Sequence, residues 1–527
     1  MIEINYPAVS DTSPLPAGSC LLEGFPAPCA IVIMGASGDL TARKIMPSLF
    51  SLYKKKLLPD PCLILGCART AYSDDEFRTV MKKALFASSK DAEGWEEFAS
   101  RLYYRQIFYD DLSSYEGLAT GLSELEKKAG TAGRRIFYLA VPPSLYESIA
   151  LMLGEAGLSR EPEGGDVWTR IVVEKPFGRD IETARHLDAA LHKHFAEHQI
   201  FRIDHYLAKE TVQNVLILRF ANAVFEPIWN RRYVEHVSIT AAESLGVGHR
   251  AGYYEEAGVL RDMFQNHMMQ LLSLTAMDPP SQFDADTVRD EKVRVYRSLR
   301  PFPVDDLENH LIVGQYKAGV IDGNKVPGYR EERGVSPDSL TPTFAAMKVF
   351  IDNWRWQGVP FYLTSGKSLA KKLTEIRIQF KEVPHSMLRS IIGEHITANT
   401  LTIGIYPEEK ITLAFQTKNP GMRVCLRSAD MEFCYEGAGE APSGDAYEKV
   451  LMDVMLGDQM LFWRQDGVEL CWSFLTPIIA ECEACSGRAE MLRFYEAGSK
   501  GPGGFRQISE TAGTLSSFSD YRGVRLT

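Results

Sequence analysis

Short apolar runs of strand length punctuate the first two hundred residues. Ala30-Ile31-Val32-Ile33-Met34 stops at Gly35, and Leu63-Ile64-Leu65-Gly66-Cys67, Ile136-Phe137-Tyr138-Leu139-Ala140 and Ile171-Val172-Val173 follow. Between them the pattern turns helical. One helix is expected from Gly35 to about Lys56 with a kink at Pro47. Another opens at Ser73 with Glu76 as a capping box, and a third covers about 144–157. Uninterrupted apolar strands alternating with helices predict a parallel sheet covered on both faces. Beyond about residue 205 the period changes to two. Val237 and Ile239 alternate with Ser238 and Thr240, Ile376, Ile378 and Phe380 with Glu375, Arg377 and Gln379, and Leu401, Ile403 and Ile405 with Thr400, Thr402 and Gly404. Ile411, Leu413 and Phe415 repeat the theme. This predicts a mainly antiparallel sheet with one buried and one wetter face, and pairing of two such sheets would cover the wetter one.

Composition narrows the picture. The chain has 527 residues, 45% hydrophobic and 24% charged, which suits packed globular domains and excludes disorder as the main state. No uncharged apolar stretch approaches about 18 residues, so no membrane helix is expected. The start, rich in proline and serine with acidic residues, lacks the pattern of a signal peptide, and a cytoplasmic location is expected. A net charge of −11 argues against nucleic acid and leaves an anionic small substrate possible only at a local basic cluster. Nine scattered cysteines suit a reducing compartment. Cys482 and Cys485 lack a second pair or nearby histidines for zinc and read as thiols near a helix end. His192, His194 and His198 read as a solvated face, with 194 and 198 sharing one side of a helix, and Lys54-Lys55-Lys56 as a solvated helix end. No metal is expected.

Five places along the chain concentrate chemistry. Gly35-Ala36-Ser37-Gly38-Asp39-Leu40 joins the first strand to its helix, where glycines admit a pyrophosphate and a helix start favours its charge. The spacing is an imperfect dinucleotide fingerprint, so an empty glycine turn stays open. After the second strand comes Arg69, with no carboxylate before Asp74. An arginine there pairs with a 2′-phosphate and favours NADP over NAD, unless it is a surface residue only. Glu174-Lys175-Pro176-Phe177-Gly178 ends another apolar run, where its lysine can meet anionic groups and Lys-Pro can be cis. In Arg202-Ile203-Asp204-His205-Tyr206-Leu207-Ala208-Lys209-Glu210, His205, Tyr206 and Lys209 could converge on a phosphate while Asp204 holds a second histidine. Arg261-Asp262-Met263-Phe264-Gln265-Asn266-His267 reads as a helix. On it Asp262 and His267 stand about 140° apart, able to flank a cleft but not to share a face.

In this order, and with Ser365-Gly-Lys-Ser-Leu, Asn353-Trp-Arg-Trp and Val326-Pro-Gly-Tyr-Arg-Glu-Glu332, these segments resemble the glucose-6-phosphate 1-dehydrogenase family over roughly residues 30 to 500. The resemblance implies an α/β Rossmann-like coenzyme domain over 28–204, after an irregular segment 1–27. It implies an α+β substrate-binding and dimerisation domain over 205–527, with a large, mainly antiparallel sheet. It implies oxidation of glucose 6-phosphate at C1 with hydride transfer to NADP, in a homodimer or homotetramer. By position, His267 would be the general base and Asp204 its orienting partner. His205, Tyr206 and Lys209 would hold the phosphate, and Glu243 and Asp262 would accept from sugar hydroxyls. Lys367 and Lys372 would close over the substrate, and Lys44 and Lys175 would sit between substrate and coenzyme. The glycine turn from Gly35 to Leu40, with Arg69, Tyr146, Glu174, Lys175 and Pro176, would line the coenzyme site.

Some positions depart from the family's pattern. Ala208 stands for a glycine, Thr364 for an arginine, Pro342 for a glutamate and Leu373 for a basic residue, although Arg377 matches. Thr364 and Leu373 argue against the second, structural NADP of some members. Two other readings compete. A sugar oxidoreductase of the glucose–fructose oxidoreductase type shares Glu-Lys-Pro but needs no phosphate cluster. A dinucleotide-binding sensor need not keep Asp204, His267 and Lys44 together.

Overall fold

A computed structural model describes residues 24–503 except 87–91, 163, 205, 208–209, 386–395, 422–424, 435–445 and 485–486. Six strands, β1 (Cys29–Met34), β2 (Cys62–Ala68), β3 (Leu102–Gln106), β4 (Arg135–Leu139), β5 (Thr169–Val173) and β6 (Ile200–Arg202), form one all-parallel sheet in the order 3-2-1-4-5-6. The strand order reverses between β1 and β4, the position at which such sheets bind nucleotides. Both faces are covered, which is why β1 and β2 are buried at every residue and read as unbroken apolar runs. The capping box at Ser73 is present and opens helix Asp74–Leu85. The helix winds without a break from residue 39 to Lys54, and just before Pro47, which has no N–H to continue the ladder, its winding widens to a π turn over Thr41–Ile45. At that helix's end Lys55 is not merely solvated but bonds Glu448 at 2.6 Å.

In the second half β7 (Val234–Ala242), β8 (Leu311–Lys317), β11 (Phe344–Phe350), β12 (Pro360–Gly366), β13 (Leu373–Phe380), β14 (Thr400–Tyr406), β15 (Lys410–Lys418), β16 (Leu426–Cys434) and β17 (Leu492–Glu496) make a nine-stranded sheet. A small hairpin, β9 (Gly319–Ile321) with β10 (Asn324–Val326), stands apart. The large sheet is antiparallel except where β12 joins β7 and β17 joins β8. Strands β13 and β14 show the expected alternation of burial. Two others depart from it. Central β7 is buried on both faces, Ser238 included, and β15 is half-buried up to its exposed last residue, although β16 pairs with it along its whole length.

The chain then returns to the first sheet. Helix Ala446–Leu456 packs on helix Met46–Lys54, and Trp463 bridges to Arg202. Helix Gln465–Ala484 lies on helices Ile181–His192 and Ala285–Arg297. Cys482 lies at the end of that long helix, and Cys485 falls outside the described residues.

The three histidines share no helix face, since helix Ile181–His192 ends at the first of them. His198 instead meets Glu161 at 2.8 Å and His194 approaches Glu155 at 3.8 Å. His192 joins Asp188 and Glu197, each at 3.1 Å, in a group whose ligand atoms are close enough for a metal ion. The cation there is Arg202, which bonds Asp188 at 2.6 Å and Glu197 at 2.8 Å. Hydrogen bonds to Asp188 and Glu197 push the His192 imidazole up to about 10.

Candidate active site

The ends of β1, β2, β5, β6 and β7 converge on one cleft. After β1, Gly35 takes a positive φ of 93°. A Cβ there would lie 2.2 Å from the Ala140 carbonyl oxygen, so only glycine allows β1 and β4 to approach this closely. Gly38 N–H closes the turn onto Gly35 O at 2.9 Å. Ser37 and Asp39 are exposed at its rim, Ala36 is buried beneath it, and Leu40 begins the helix. At the end of β2, Arg69 is exposed, its guanidinium 6.0 Å from the Tyr109 ring centre. Thr70 hydroxyl donates to Ser37 Oγ at 3.3 Å. The Ser37 and Thr70 hydroxyls therefore meet at the strand ends beside the exposed Arg69, a donor set that can hold a nucleotide. Thr70 escaped the sequence reading, although it follows Arg69 directly.

The turn after β5 is held from behind. Tyr138 hydroxyl donates to Glu174 at 2.6 Å and Tyr146 hydroxyl to the Glu174 carbonyl at 3.1 Å. Trp472 indole donates to the Phe177 carbonyl at 2.8 Å. The Lys175–Pro176 bond is cis. Tyr146 is fully buried, so it supports this turn from below rather than lining an open surface. Burial pushes the Glu174 carboxyl up against the opposing pull of its tyrosine hydrogen bonds and Lys175.

The turn sets Lys175 at the centre of the site. Its ammonium lies 2.9 Å from His267 Nε2, 3.2 Å from Asp262 Oδ1 and 3.1 Å from the Asp262 carbonyl. His267 Nδ1 meets Asp204 Oδ1 at 2.5 Å, both side chains being buried. An ionised carboxylate only accepts, so Nδ1 carries the proton and Nε2 presents its lone pair to Lys175. Tyr206 stacks on the imidazole with centroids 3.9 Å apart. Burial lowers the His267 pKa below its ordinary value; Asp204 opposes that shift and Lys175 reinforces it. The ring is thus neutral, and a base, near pH 7. Burial also opposes ionisation of Asp262, but Lys175 and Lys367 outweigh it and hold the carboxyl well below the usual range.

Asp262 and His267 both contact the same Lys175 ammonium. Leu260–Met268 winds as a π-helix, whose i→i+5 repeat stacks residues five apart on one side. One lysine can therefore touch both, which corrects the separation of about 140° expected from α geometry. The helix continues as Met269–Ala276, and its last carbonyls are fully occupied. Arg219 donates to Leu274, Thr275 and Met277 at 3.0, 3.1 and 2.7 Å, Trp229 to Thr275 at 2.8 Å, and Trp356 to Ala276 at 2.7 Å. The Asn353-Trp-Arg-Trp motif thus serves to anchor the helix that carries His267.

Across the cleft, buried Lys367 bonds Glu243 and lies 3.7 Å from Asp262. Its ammonium also sits 5.0 Å from the Tyr254 ring. Tyr253 lies beside Asp262, and burial together with that charge raises the tyrosine pKa. Neither tyrosine was singled out from the sequence, where Tyr253-Tyr254 carries no distinguishing spacing. Lys372 is exposed immediately before β13, whose Leu373 pairs with Ala242 beside Glu243, and it rests 4.1 Å from the Tyr406 ring. Lys44 is exposed on the π turn after β1, 5.9 Å from the Tyr447 ring. His205 and Lys209 lie outside the described residues.

Known proteins resemble this chain over most of its length. Residues 32–214 match the model of "Glucose-6-phosphate dehydrogenase, NAD binding domain" and residues 216–516 that of "Glucose-6-phosphate dehydrogenase, C-terminal domain". The chain belongs to the glucose-6-phosphate dehydrogenase family. Members of this family oxidise glucose 6-phosphate in the pentose phosphate pathway. The family member from Aggregatibacter actinomycetemcomitans is 46% identical over 475 residues, 90% of this chain and 94% of its own. That of Bacillus subtilis is 40% identical over 472 residues, with coverage of 90% and 94%. A glucose-6-phosphate dehydrogenase solved in complex with its substrate glucose 6-phosphate superposes with a TM-score of 0.85 at 35% identity, covering 94% of this chain and 99% of that one. The Mycobacterium avium glucose-6-phosphate 1-dehydrogenase gives 0.78 at 31% identity, with coverage of 92% and 97%. The nucleotide-binding domain of the family implies a pyridine nucleotide. No described helix is long and apolar enough to cross a membrane.

Proposed function

We propose that this chain oxidises D-glucose 6-phosphate at C1 to 6-phospho-D-glucono-1,5-lactone, with NADP as hydride acceptor. The observation that carries the reading is the Asp204–His267–Lys175 line, which ends on a lone pair directed into the cleft. In the reaction the C1 hydroxyl replaces the Lys175 ammonium at Nε2. His267 takes the hydroxyl proton as hydride leaves C1, and Asp204 stabilises the imidazolium that forms. Lys175, released from the ring, keeps its contact with Asp262 and can meet an anionic group of coenzyme or sugar. Glu243 and Asp262 accept from sugar hydroxyls, and Lys367 neutralises both in the substrate-free site. Tyr206, with His205 and Lys209 on the same segment, is assigned to the phosphate, and Lys372 and Lys44 to the cleft rim. The phosphate, remote from C1, supplies binding energy that positions the reacting carbon.

The bound nicotinamide supplies the hydride-accepting carbon. Ser37, Thr70 and Arg69 would hold its phosphorylated ribose, and the turn from Gly35 to Leu40 its pyrophosphate, beside Glu174 and Pro176. The functional boundary is placed between residues 204 and 205, with a coenzyme domain before it and a substrate and dimerisation domain after it. The half-exposed face of β15 and β16 supports a homo-oligomer. A solution mass of about 59 kDa by light scattering would rule that out. A cytoplasmic location accords with the scattered cysteines and the substrate.

The test is formation of reduced coenzyme with glucose 6-phosphate against free glucose. Strong preference for the phosphate ester is expected, and equal rates would refute the phosphate assignment. Production of NADH faster than NADPH at equal coenzyme concentrations would refute the coenzyme assignment.

A further inference from the structure

The segment Val326-Pro-Gly-Tyr-Arg-Glu-Glu332 ends on a carboxylate that packs against the turn following Glu243. The segment is built to hold that side chain still. Tyr329 is fully buried and donates to Glu255 at 2.5 Å. Arg330 donates to Gln315 at 2.9 Å and to the Ser339 carbonyl at 3.0 Å, and Gly328 N–H donates to Glu331 at 2.9 Å. Glu332 comes next, and its Oε1 accepts from the hydroxyl of buried Tyr316, on β8, at 2.9 Å.

A tyrosine hydroxyl has one proton to give. With that proton on Glu332, the Tyr316 oxygen keeps its lone pairs for a donor, and it accepts from Val247 N–H at 3.2 Å. Val247 is buried, so this N–H needs a partner from the protein. Beside it Gly246 fits against the same two groups. A Cβ there would lie 2.5 Å from Glu332 Oε1 and 3.0 Å from the Tyr316 oxygen, a contact close enough to exclude a side chain.

The turn held in this way is laced to the turn after β12. Glu243 N–H donates to the Gly366 carbonyl at 2.9 Å, Leu369 N–H to the Glu243 carbonyl at 2.9 Å, and Ser368 N–H to the Leu245 carbonyl at 3.1 Å. The side chains meet as well, through the Lys367–Glu243 bond. Tyr495 on β17, the register partner of Tyr316, donates to the Lys367 carbonyl at 2.7 Å. Thr343 ties the two sides together. Its hydroxyl accepts from Tyr316 N–H at 3.1 Å and its carbonyl from Lys367 N–H at 2.9 Å. Glu243 and Lys367 therefore sit on one hydrogen-bonded unit, and Tyr316 is one of its anchors to the sheet.

We propose that Glu332, acting through Tyr316, is a positioning residue for the Glu243–Lys367 pair and so for the binding of glucose 6-phosphate. The proposal rests on the assignment of Glu243 and Lys367 to the sugar. Glu332 fixes the direction of the Tyr316 proton, and the hydroxyl then holds the turn that carries Glu243. With that line cut, the substrate itself must order the pair, a cost met equally in the ground and transition states.

The experiment is steady-state kinetics of Tyr316→Phe, Glu332→Ala and Glu332→Gln with glucose 6-phosphate and NADP. Thermal denaturation checks folding, and Glu332→Ala keeps the test open if Tyr316→Phe does not fold. Tyr316→Phe and Glu332→Ala should each raise KM for glucose 6-phosphate about tenfold, with kcat within about threefold of the parent and KM for NADP unchanged. Glu332→Gln, whose amide oxygen still accepts from the hydroxyl, should return KM to within about threefold of the parent. The double variant Tyr316→Phe with Glu332→Ala should lose little more than either alone, since both cut one line. Four results overturn the proposal: an unchanged KM for glucose 6-phosphate in the variants that lose the bond, a fall in kcat as large as the rise in KM, a glutamine variant as impaired as the alanine one, or additive losses in the double variant. Failure of the sugar assignment reads differently: Glu243→Gln would then leave KM for glucose 6-phosphate unchanged.

Discussion

Replacing Asp204 by asparagine removes one oxygen's charge and nearly no volume. In the native site the carboxylate lies 2.5 Å from Nδ1, with its side chain fully buried and that of His267 1% exposed. In the proposed reaction His267 takes the substrate proton, and a full ion pair forms there. With charge centres about 4 Å apart and an effective dielectric constant near 20, the attraction is about 4 kcal/mol. At 1.36 kcal/mol per decade this is about a thousandfold in rate. A second effect acts in the same direction. An asparagine amide can donate to Nδ1, which moves the ring proton to Nε2 and removes the lone pair that the C1 hydroxyl needs. The expected loss in kcat is therefore about 10²–10⁴-fold, with KM for glucose 6-phosphate little changed, because the lost interaction belongs to the transition state. The assay is steady-state formation of NADPH by absorbance. His267→Asn should lose a similar amount, and the double variant should lose little more than either alone. The sign of the pH effect is also fixed. Asp204 favours the protonated ring, so without it the residual activity should keep its acid limb at lower pH. A kcat within about threefold of the parent, or a loss confined to KM, would refute the role assigned to Asp204.

Two further substitutions probe the coenzyme cradle and the helix anchor. Arg69→Ala should raise KM for NADP by about tenfold or more and leave NAD nearly unchanged, since a charge-assisted pair with phosphate contributes about 1.5–3 kcal/mol. Steady-state kinetics with both coenzymes would refute this by showing equal losses. Arg219→Met should destabilise the fold by about 3 kcal/mol, because the Leu274 and Met277 carbonyls at the end of helix Met269–Ala276 lose their donor and Thr275 keeps only Trp229, while Glu226 keeps Arg355 at 2.7 Å. Chemical denaturation monitors this, and a change below about 1 kcal/mol would show that Trp229 and Trp356 hold the helix end alone.

Much of the fold was readable along the chain because its signals are local. Strands buried on both faces show as unbroken apolar runs, so β1, β2, β4 and β5 were legible, and the capping box announced a helix start. Strands β3 and β6 are short and mixed, and only their neighbours in the sheet make them strands. The chemistry of the site was legible as residue types in order: a glycine turn, an arginine after the second strand, an acid followed by a histidine, and a second histidine with its own acid. Distances among them were not, because they depend on helix winding and on packing between segments far apart in sequence. The π-helix that puts Asp262 and His267 on one side carries no periodic signal, and α geometry gave the wrong angle. Lys175 reaches both across 87 and 92 positions, and Thr70 finds Ser37 across 33. Periodicity records which side of an element is apolar. Which charges come to lie beside one another is decided when separate elements close over one another and exclude water.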